Sequence, residues 1–259
     1  MQPKNIALCV VATDKYKMFL EQLLKSASKH FLRNHNVHFF IFSDAPGYES
    51  WLDLDEYTIH WRQIEHLPFP LPTLFRYKYI LREERRLREF DYTFWCDADM
   101  AFISDVGDEL LGDGITAIDH PCCPDGNMLP HFVEWTFTNN PKSLAYIPPE
   151  ERNNYWCGVL QGGTSEKFLS VAKTLEKNLD TDLGQNIIVN YHDESHWNKY
   201  LSKNPPSVNL PHWYCRPEAE CGWEESGALP TPEGKRPRVL CLDKDLHGGW
   251  QLYRGDSKL

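Results

Sequence analysis

The chain has 259 residues, a formal net charge of −10 and an apolar content of 41%. This length and apolar content are typical of a globular protein with a substantial core and argue against a disordered chain. The acidic balance argues against nucleic acid as the main partner, because phosphates need a surplus of cations. No apolar run approaches the roughly 18 residues of a membrane span, so we expect no membrane span.

The first hundred residues alternate between strand and helix patterns. The run NIALCVVAT at 5–13 is continuously apolar and β-branched, which predicts a strand covered on both faces. A helix with apolar residues at helical spacing is predicted after Asp14, a second buried strand over 37–44, and a charged helix over about 76–89. The proline-rich stretch 66–75 is predicted as a loop. This order favours an α/β domain with a mostly parallel sheet, Rossmann-like in character, and helices on both faces.

Beyond residue 100 the pattern loosens. Short strands are predicted over 114–121 and 156–163, and amphipathic helices over 165–179 and from Asp193 or Ser195 onward. The tail from Pro205 has no periodicity and is predicted as a packed or mobile loop region. The chain shows no internal repeat and no linker, so we expect a single domain over 1–259.

The cysteines indicate the redox compartment. Cys9 and Cys96 lie inside apolar runs, Cys122 and Cys123 are adjacent, and no CxxC pair occurs. This pattern favours reduced thiols. From Met1 the sequence enters its first predicted strand almost at once, without a signal-peptide pattern, so we expect a cytoplasmic protein.

Two acids follow the aromatic strand in DYTFWCDADMAF at 91–102. Side chains at i and i+2 of an extended segment point the same way, so Asp97 and Asp99 can aim at one point. Two carboxylates that close repel one another unless a cation intervenes. Mg²⁺ or Mn²⁺ fits such oxygen ligands and keeps open positions for substrate phosphates. The alternative is a solvated turn in which Asp99 caps a loop or helix.

The stretch YHDESHWNKY at 191–200 holds the second concentration of polar groups. His192 and His196 at i, i+4 are similar to the HExxH zinc motif, with Asp193 in place of its glutamate, which leaves a zinc hydrolase open. A second interpretation is a capped helix start. A third makes Glu194 a carboxylate that faces an electrophilic sugar carbon.

Seven stretches in chain order together resemble the family 6 retaining glycosyltransferases, and the last of them is the most specific. They are VATDKYKMFL (11–20), VHFFIFSD (37–44), DYTFWCDADMAF (91–102), AIDHP (117–121), KSLAYIPPE (142–150), NYWCGVLQGG (154–163) and YHDESHWNKYL (191–201). The resemblance implies a GT-A fold, a UDP-sugar donor, and Mn²⁺ or Mg²⁺. It also implies transfer of galactose or N-acetylgalactosamine in α1,3 linkage to a β-galactoside acceptor.

The resemblance also assigns site residues. Those expected to bind the donor or its metal are Val11, Tyr16, Arg76, Asp97, Asp99, Cys157, Gly158, Val159, Asp193, Lys244 and Arg254. Among these, Asp97 and Asp99 hold the metal. Glu194 is the proposed nucleophile, and the acceptor is contacted by His120, Thr136, Tyr191 and Glu194. The domain then divides into a nucleotide-binding half (about 1–100), an acceptor and catalytic half (about 101–235) and a C-terminal tail that closes on the donor (about 236–259).

Several positions depart from the family pattern. Val159 stands where relatives carry glycine or alanine, which favours galactose or another unacetylated hexose. Tyr191 replaces a tryptophan, Cys215 falls about where relatives have an aspartate, and residues are inserted between His120 and Thr136. Both acids of the DxD are kept, so we expect metal dependence. The sequence looks like the soluble microbial or viral members, and a non-catalytic glycan-binding module is the remaining alternative.

Overall fold

The computed structural model describes residues 2–45, 58–123, 128, 132–133, 136–218 and 234–248. Ten strands lie in these ranges: β1 (Asn5–Val11), β2 (Asn36–Ser43), β3 (Thr58–Gln63), β4 (Tyr92–Cys96), β5 (Met100–Phe102), β6 (Ile115–Ile118), β7 (Leu160–Thr164), β8 (Val208–Leu210), β9 (Arg216–Pro217) and β10 (Val239–Cys241). The α-helices in these ranges are α1 (Lys17–His30), α2 (Leu71–Leu74), α3 (Arg76–Arg82), α4 (Glu84–Leu87), α5 (Ser165–Gly184) and α6 (His192–Lys203).

A seven-stranded sheet runs through the molecule in the order β3-β2-β1-β4-β7-β6-β8. The pairs β3-β2, β2-β1, β1-β4 and β6-β8 are parallel, and β7 is antiparallel to both of its neighbours. The sheet is therefore mostly parallel, as predicted. The carboxyl ends of β1, β2 and β4 meet at one edge, where ligands bind in sheets of this kind.

Helices cover both faces of the sheet, and β1 accordingly buries side chains on both faces. Ile6 and Leu8 belong to a core cluster that includes α1, whereas Ala7 and Cys9 belong to a second cluster formed with α3, α5 and α6. Alternate residues of a strand point to opposite faces, so a strand with apolar residues at every position needs cover on both. The predicted α/β class with helices on both faces is confirmed.

Several predicted elements differ from the structure. The charged helix over 76–89 is two short helices, α3 and α4, separated at Glu83, and the loop 66–75 contains the one-turn helix α2. The last predicted helix begins at His192 rather than Asp193 or Ser195. The tail from Pro205 is not uniformly irregular, since it contributes β8, β9 and β10. These strands have two or three residues, too few to show an alternating pattern.

A second sheet of three strands lies beside the first, in the order β5-β10-β9. Strand β5 begins directly after Asp99 and pairs antiparallel with β10, and the Leu242 N–H donates a hydrogen bond to the Asp99 carbonyl at 2.8 Å. The described part of the C-terminal segment is thereby fixed beside the two acids. Among the residues described, no helix combines the length and the apolar character needed to cross a membrane.

Substituting Gly163 tests how closely β7 packs against β6. A Cβ there would lie 2.1 Å from the Gly114 carbonyl oxygen, and the residue has a φ of +149°. We expect Gly163→Ala to lower the free energy of unfolding by about 1–3 kcal/mol through overpacking and by about as much again through backbone strain. Denaturant unfolding measures the change. Gly184→Ala, where nothing lies within 4 Å, is the control and should cost nothing; equal stability of the two variants would contradict this packing.

Candidate active site

A cleft that is open to solvent lies at the carboxyl edge of the parallel strands. Its lining includes six residues assigned to the donor from sequence: Val11, Tyr16, Arg76, Asp97, Asp99 and Lys244. Thr13, His66, Phe69 and Thr73 line it as well. The cleft therefore joins residues from β1, from the 66–75 segment, from the end of β4 and from the C-terminal segment.

Asp97, the first acid of the DxD, is held from two sides. The Trp95 indole N–H donates a hydrogen bond to Asp97 Oδ1 at 2.7 Å, and the Arg76 Nη2 atom lies 3.0 Å from the same oxygen. Burial raises the pKa of Asp97, Arg76 opposes the rise, and the neighbouring Asp99 adds to it. Arg76 therefore opposes protonation of Asp97, and one of the two carboxylate oxygens is engaged in these contacts.

Asp99, the second acid, is paired with the C-terminal segment. The Lys244 ammonium contacts Asp99 Oδ2, and both side chains are almost fully buried. The same ammonium lies 5.7 Å from the centre of the Tyr16 ring. Burial acts to lower the pKa of Lys244, but the Asp99 carboxylate acts to raise it and the net shift is upward, so the ammonium stays protonated.

Arg76 joins the cleft to helix α6. Its Nε atom lies 2.9 Å from Asp193 Oδ2, and its Nη1 donates a hydrogen bond to the Gly158 carbonyl at 2.6 Å. The Arg76–Asp193 contact is an ion pair without hydrogen-bond alignment, since neither atom has a hydrogen-bond partner by angle. Although burial opposes it, the Asp193 and Asp97 carboxylates raise the pKa of Arg76, so the guanidinium stays charged.

Glu194 faces the same segment from the opposite side. The Gly158 N–H donates a hydrogen bond to Glu194 Oε2 at 2.5 Å, and a Cβ on Gly158 would lie 3.0 Å from that oxygen. Burial raises the pKa of Glu194 to about 7, against the hydrogen bond from Gly158. His192, the first residue of α6, has a φ of +47°, a conformation that costs free energy and often marks functional sites.

The segment assigned to donor selection lies between these groups. The Val159 carbonyl accepts a hydrogen bond from the Asp97 N–H at 2.9 Å, and Cys157 is buried. The Val159 side chain packs against the core cluster around β1 and is not part of the cleft lining. The backbone of this segment, rather than its side chains, is what contacts the acids.

The residues assigned to the acceptor are less clearly brought together than those assigned to the donor. His120 stacks on Phe132 with ring centres 4.6 Å apart and meets the Tyr155 ring edge-on at 5.7 Å. Burial lowers the pKa of His120 to about 3, so it is neutral. Tyr191 is 39% exposed directly before α6, whereas Thr136 is buried and donates its hydroxyl hydrogen bond to the Phe132 carbonyl. Thr136 is therefore engaged within the protein.

His192 and His196 do not form a zinc site. His196 Nε2 lies 3.4 Å from Asp182 Oδ2, and that carboxylate also accepts a hydrogen bond from Ser143 at 2.6 Å. The His192 ring instead meets Phe69 edge-on at 5.1 Å. In the part of the chain that the structure describes, no three His, Cys, Asp or Glu residues are grouped to hold a metal ion. The zinc interpretation of this motif is wrong.

Arg254, which was assigned to the donor from sequence, lies outside the described residues.

Three residues of the site were missed by the sequence interpretation. Trp95 holds Asp97 and lies under the Arg76 guanidinium, 4.7 Å from its ring centre. Its position two residues before Asp97 on the same strand face was the available signal. Gln161 donates a hydrogen bond to the Gly158 carbonyl at 3.0 Å, and Asn198 bonds to both Trp156 backbone groups. Contacts to backbone atoms leave no pattern in a sequence.

Residues 1–226 match the family model described as "Glycosyltransferase family 6". The chain belongs to glycosyltransferase family 6. Family membership relates the chain by descent to glycosyltransferases. It also agrees with the order of motifs and with the sheet architecture.

Relatives from animals and bacteria are similar to this chain. Histo-blood group ABO system transferase 1 of Rattus norvegicus is 30% identical over 234 residues, which is 86% of this chain and 64% of the relative. Globoside alpha-1,3-N-acetylgalactosaminyltransferase 1 of Homo sapiens is 27% identical over 259 residues, 95% of this chain and 69% of the relative. The chain thus spans about two thirds of these animal proteins. O-antigen biosynthesis glycosyltransferase WbnI of Escherichia coli is 23% identical, covering 93% of this chain and 95% of the relative.

Removing the Arg76 cation tests its place at the centre of the site. Arg76→Met leaves Asp193, which is only 3% exposed, without a cation, so we expect a loss of about 3–5 kcal/mol in unfolding free energy. Adding Asp193→Asn should restore part of the loss. Denaturant unfolding measures the unfolding free energy of all variants. The control is Lys25→Met, which removes the cation of the exposed Lys25–Glu21 pair and should leave the unfolding free energy within about 0.5 kcal/mol of the parent. A loss no larger than that of the control would contradict this arrangement.

Proposed function

We propose that this chain is a retaining glycosyltransferase that moves a hexose from a UDP-sugar to a β-galactoside-type acceptor in α1,3 linkage, with a divalent cation. The name of one relative supports the linkage, since the globoside enzyme of Homo sapiens is by name an alpha-1,3-N-acetylgalactosaminyltransferase. The donor sugar proposed is galactose or N-acetylgalactosamine.

The Arg76 contacts are the observation that carries this proposal. They bring three separate sequence stretches, 91–102, 154–163 and 191–201, into one cluster at the edge of the sheet. A solvated DxD turn and a capped helix start would need no such connection. A cleft with acids, a lysine from the C-terminal segment and an aromatic ring on its walls suits a nucleoside diphosphate accompanied by a metal.

The two acids of the DxD fit a hard divalent ion. Both carboxylates line the cleft, and the contacts from Trp95 and Lys244 each use one oxygen, Asp97 Oδ1 and Asp99 Oδ2. Oxygen donors from protein, joined by diphosphate oxygens and water, are what Mg²⁺ or Mn²⁺ prefers. Asp97 and Asp99 would hold the ion, which when bound would neutralise charge on the leaving diphosphate.

The chain's own residues supply the rest of the chemistry. Lys244 provides a cation at the cleft wall that can neutralise diphosphate oxygens. Tyr16 provides an aromatic face on which the uracil base of the donor can stack. Arg76 fixes Asp97, and it opposes the rise to about 8 that burial causes in the pKa of Asp193. Glu194, oriented by the Gly158 N–H, either attacks the anomeric carbon or stabilises positive charge on it. Double displacement and front-face substitution both retain configuration.

The preference for an unacetylated hexose rests on the sequence alone. Val159 is larger than the glycine or alanine of relatives, but its side chain packs on the core rather than into the cleft. A Cβ added to Gly158 would lie only 3.0 Å from Glu194 Oε2, so the backbone leaves little room beside Glu194. Assigning the donor sugar therefore requires an assay with different UDP-sugars.

A donor panel tests the proposal. With Mn²⁺ and UDP-glucose, UDP-galactose, UDP-N-acetylglucosamine or UDP-N-acetylgalactosamine, we expect slow UDP release from one donor and faster release when a β-galactoside is added. Asp99→Asn should abolish the metal-dependent release because it weakens the ion's oxygen ligand. Asp105→Asn, at a 70% exposed acid, is the matched control and should keep full activity.

Three results would contradict the proposal. UDP release from no donor, with or without acceptor, would remove the transferase assignment. Glycan binding without turnover would indicate a non-catalytic module. Full activity of Asp99→Asn would remove the DxD from metal binding while leaving transfer in place.

Acid pH should inactivate the enzyme through Glu194. A carboxylate must be ionised to act on the anomeric carbon, and burial raises the pKa of Glu194 to about 7, with Arg76 lowering it and Asp97 raising it. We expect kcat/KM to fall about tenfold per pH unit below this value. Glu194→Gln should lose roughly 10²–10⁴-fold in kcat, keep its UDP affinity and show a flat profile. A wild-type profile flat from about pH 5.5 to about pH 8.5 would argue against this role.

A further inference from the structure

Asn198 is a buried amide on the same face of α6 as Glu194. It follows Glu194 by four residues, so the two lie one above the other on the helix, and its side chain is 1% exposed. The donor and acceptor assignments leave it without a function. A buried side-chain amide needs partners for its oxygen and for both N–H groups.

The amide uses all of these groups on two pieces of backbone. Asn198 Oδ1 accepts a hydrogen bond from the Trp156 N–H at 2.7 Å, and its Nδ2 donates to the Trp156 carbonyl at 2.8 Å. The same Nδ2 donates to the Glu194 carbonyl at 2.9 Å. One side chain therefore holds both polar groups of Trp156 and the backbone of Glu194.

These contacts complete a closed ring around the proposed nucleophile. Two residues beyond Trp156, the Gly158 N–H donates to the Glu194 carboxylate at 2.5 Å. The ring runs from Glu194 to Asn198 along the helix, across to Trp156, on to Gly158 and back to Glu194. Its length is fixed by short hydrogen bonds, so the Glu194 carboxylate cannot shift along the helix axis without breaking one of them.

Gly158 is held from its other side as well. Its carbonyl accepts hydrogen bonds from Arg76 and from Gln161, and Gln161 is itself held by the Tyr77 hydroxyl at 2.8 Å. The Gly158 peptide is therefore fixed relative to the cleft, and Asn198 fixes α6 relative to that peptide. Glu194 gains its position relative to the cleft through this second link.

We propose that Asn198 is a positioning residue, which aligns Glu194 with the anomeric carbon of the donor by binding α6 to the Trp156–Gly158 segment. The inference rests on the glycosyl transfer proposed above. Asn198 touches neither donor nor acceptor in this role. A displacement of about 1 Å at a reacting group can cost about 10²-fold in rate, so the effect belongs in kcat.

The test compares the same substitution at a position inside α6 and at the residue directly after the helix. Asn198→Asp keeps the shape and the acceptor oxygen but removes the donor to the Trp156 and Glu194 carbonyls. Asn204→Asp is the matched control, because the Asn204 amide also donates to the carbonyl four residues earlier, Tyr200, at 3.0 Å, but at the exposed end of the helix. Asn198→Ala is the second variant, and thermal unfolding of each is measured alongside.

We expect Asn198→Asp and Asn198→Ala to lower kcat by about 10²-fold while KM for the donor and the Kd of UDP stay unchanged. Asn204→Asp should match the parent. The Gly158 amide in ¹⁵N-glycine-labelled protein gives a readout that needs no turnover. We expect its resonance, moved downfield by the Glu194 carboxylate, to lose that shift and its pH titration in the Asn198 variants only.

The outcomes separate the two proposals. If the parent turns over no donor, the transferase assignment fails, and the Gly158 resonance alone decides whether Asn198 positions Glu194. An unchanged resonance and unchanged kcat in both Asn198 variants would overturn the positioning role. So would parallel losses in kcat, UDP affinity and folding, because these would assign Asn198 to the stability of the fold.

Discussion

One buried guanidinium group connects the parts of this molecule that matter for its chemistry. Arg76 is 3% exposed and reaches the end of β4, the Gly158 peptide and helix α6 with three different nitrogen atoms. A planar guanidinium carries its donors on three nitrogen atoms and so reaches three separated partners, whereas a lysine has a single nitrogen. The sheet edge, the turn before β7 and the start of α6 therefore have to lie at fixed separations for the charge to be satisfied. The geometry of the site is in this way part of the stability of the fold.

Charge balance explains why the site has the form it does. Within the described part of the chain, the carboxylates of Asp97, Asp99, Asp193 and Glu194 are close to two cations, Arg76 and Lys244. A diphosphate would add further negative charge to this surplus. Binding it without a divalent ion would then require the acids to take up protons, which burial already favours at Asp97 and Glu194. This electrostatic cost is the physical reason to expect metal and nucleotide to bind together.

The sequence predicted those parts of the fold that carry strong local patterns. β1, β2, β4, α1 and α5 follow from apolar runs and helical spacing, and the class of the sheet follows from their order. β3 was missed because TIHWRQ is half-buried and mixes polar with aromatic residues. In the site, Asp97, Asp99 and Glu194 follow from local motifs, and the cleft brings the first two together with Tyr16 and Lys244. What the sequence did not contain was the role of the Gly158 and Trp156 peptides, because every residue carries the same backbone groups.

The pairing of β5 with β10 has a consequence for the order in which the parts of the chain come together during synthesis. Strand β5 directly follows the DxD, and its partner β10 lies close to the C-terminal end of the described chain. A ribosome adds Lys244 145 residues after Asp99, and it adds β10, the strand that pairs with β5, shortly before Lys244. Contacts so distant along the chain form late, since a long loop must close first. A nascent chain therefore emerges with its DxD acids uncovered and without the lysine that neutralises Asp99, until the segment that holds β10 and Lys244 has been synthesised.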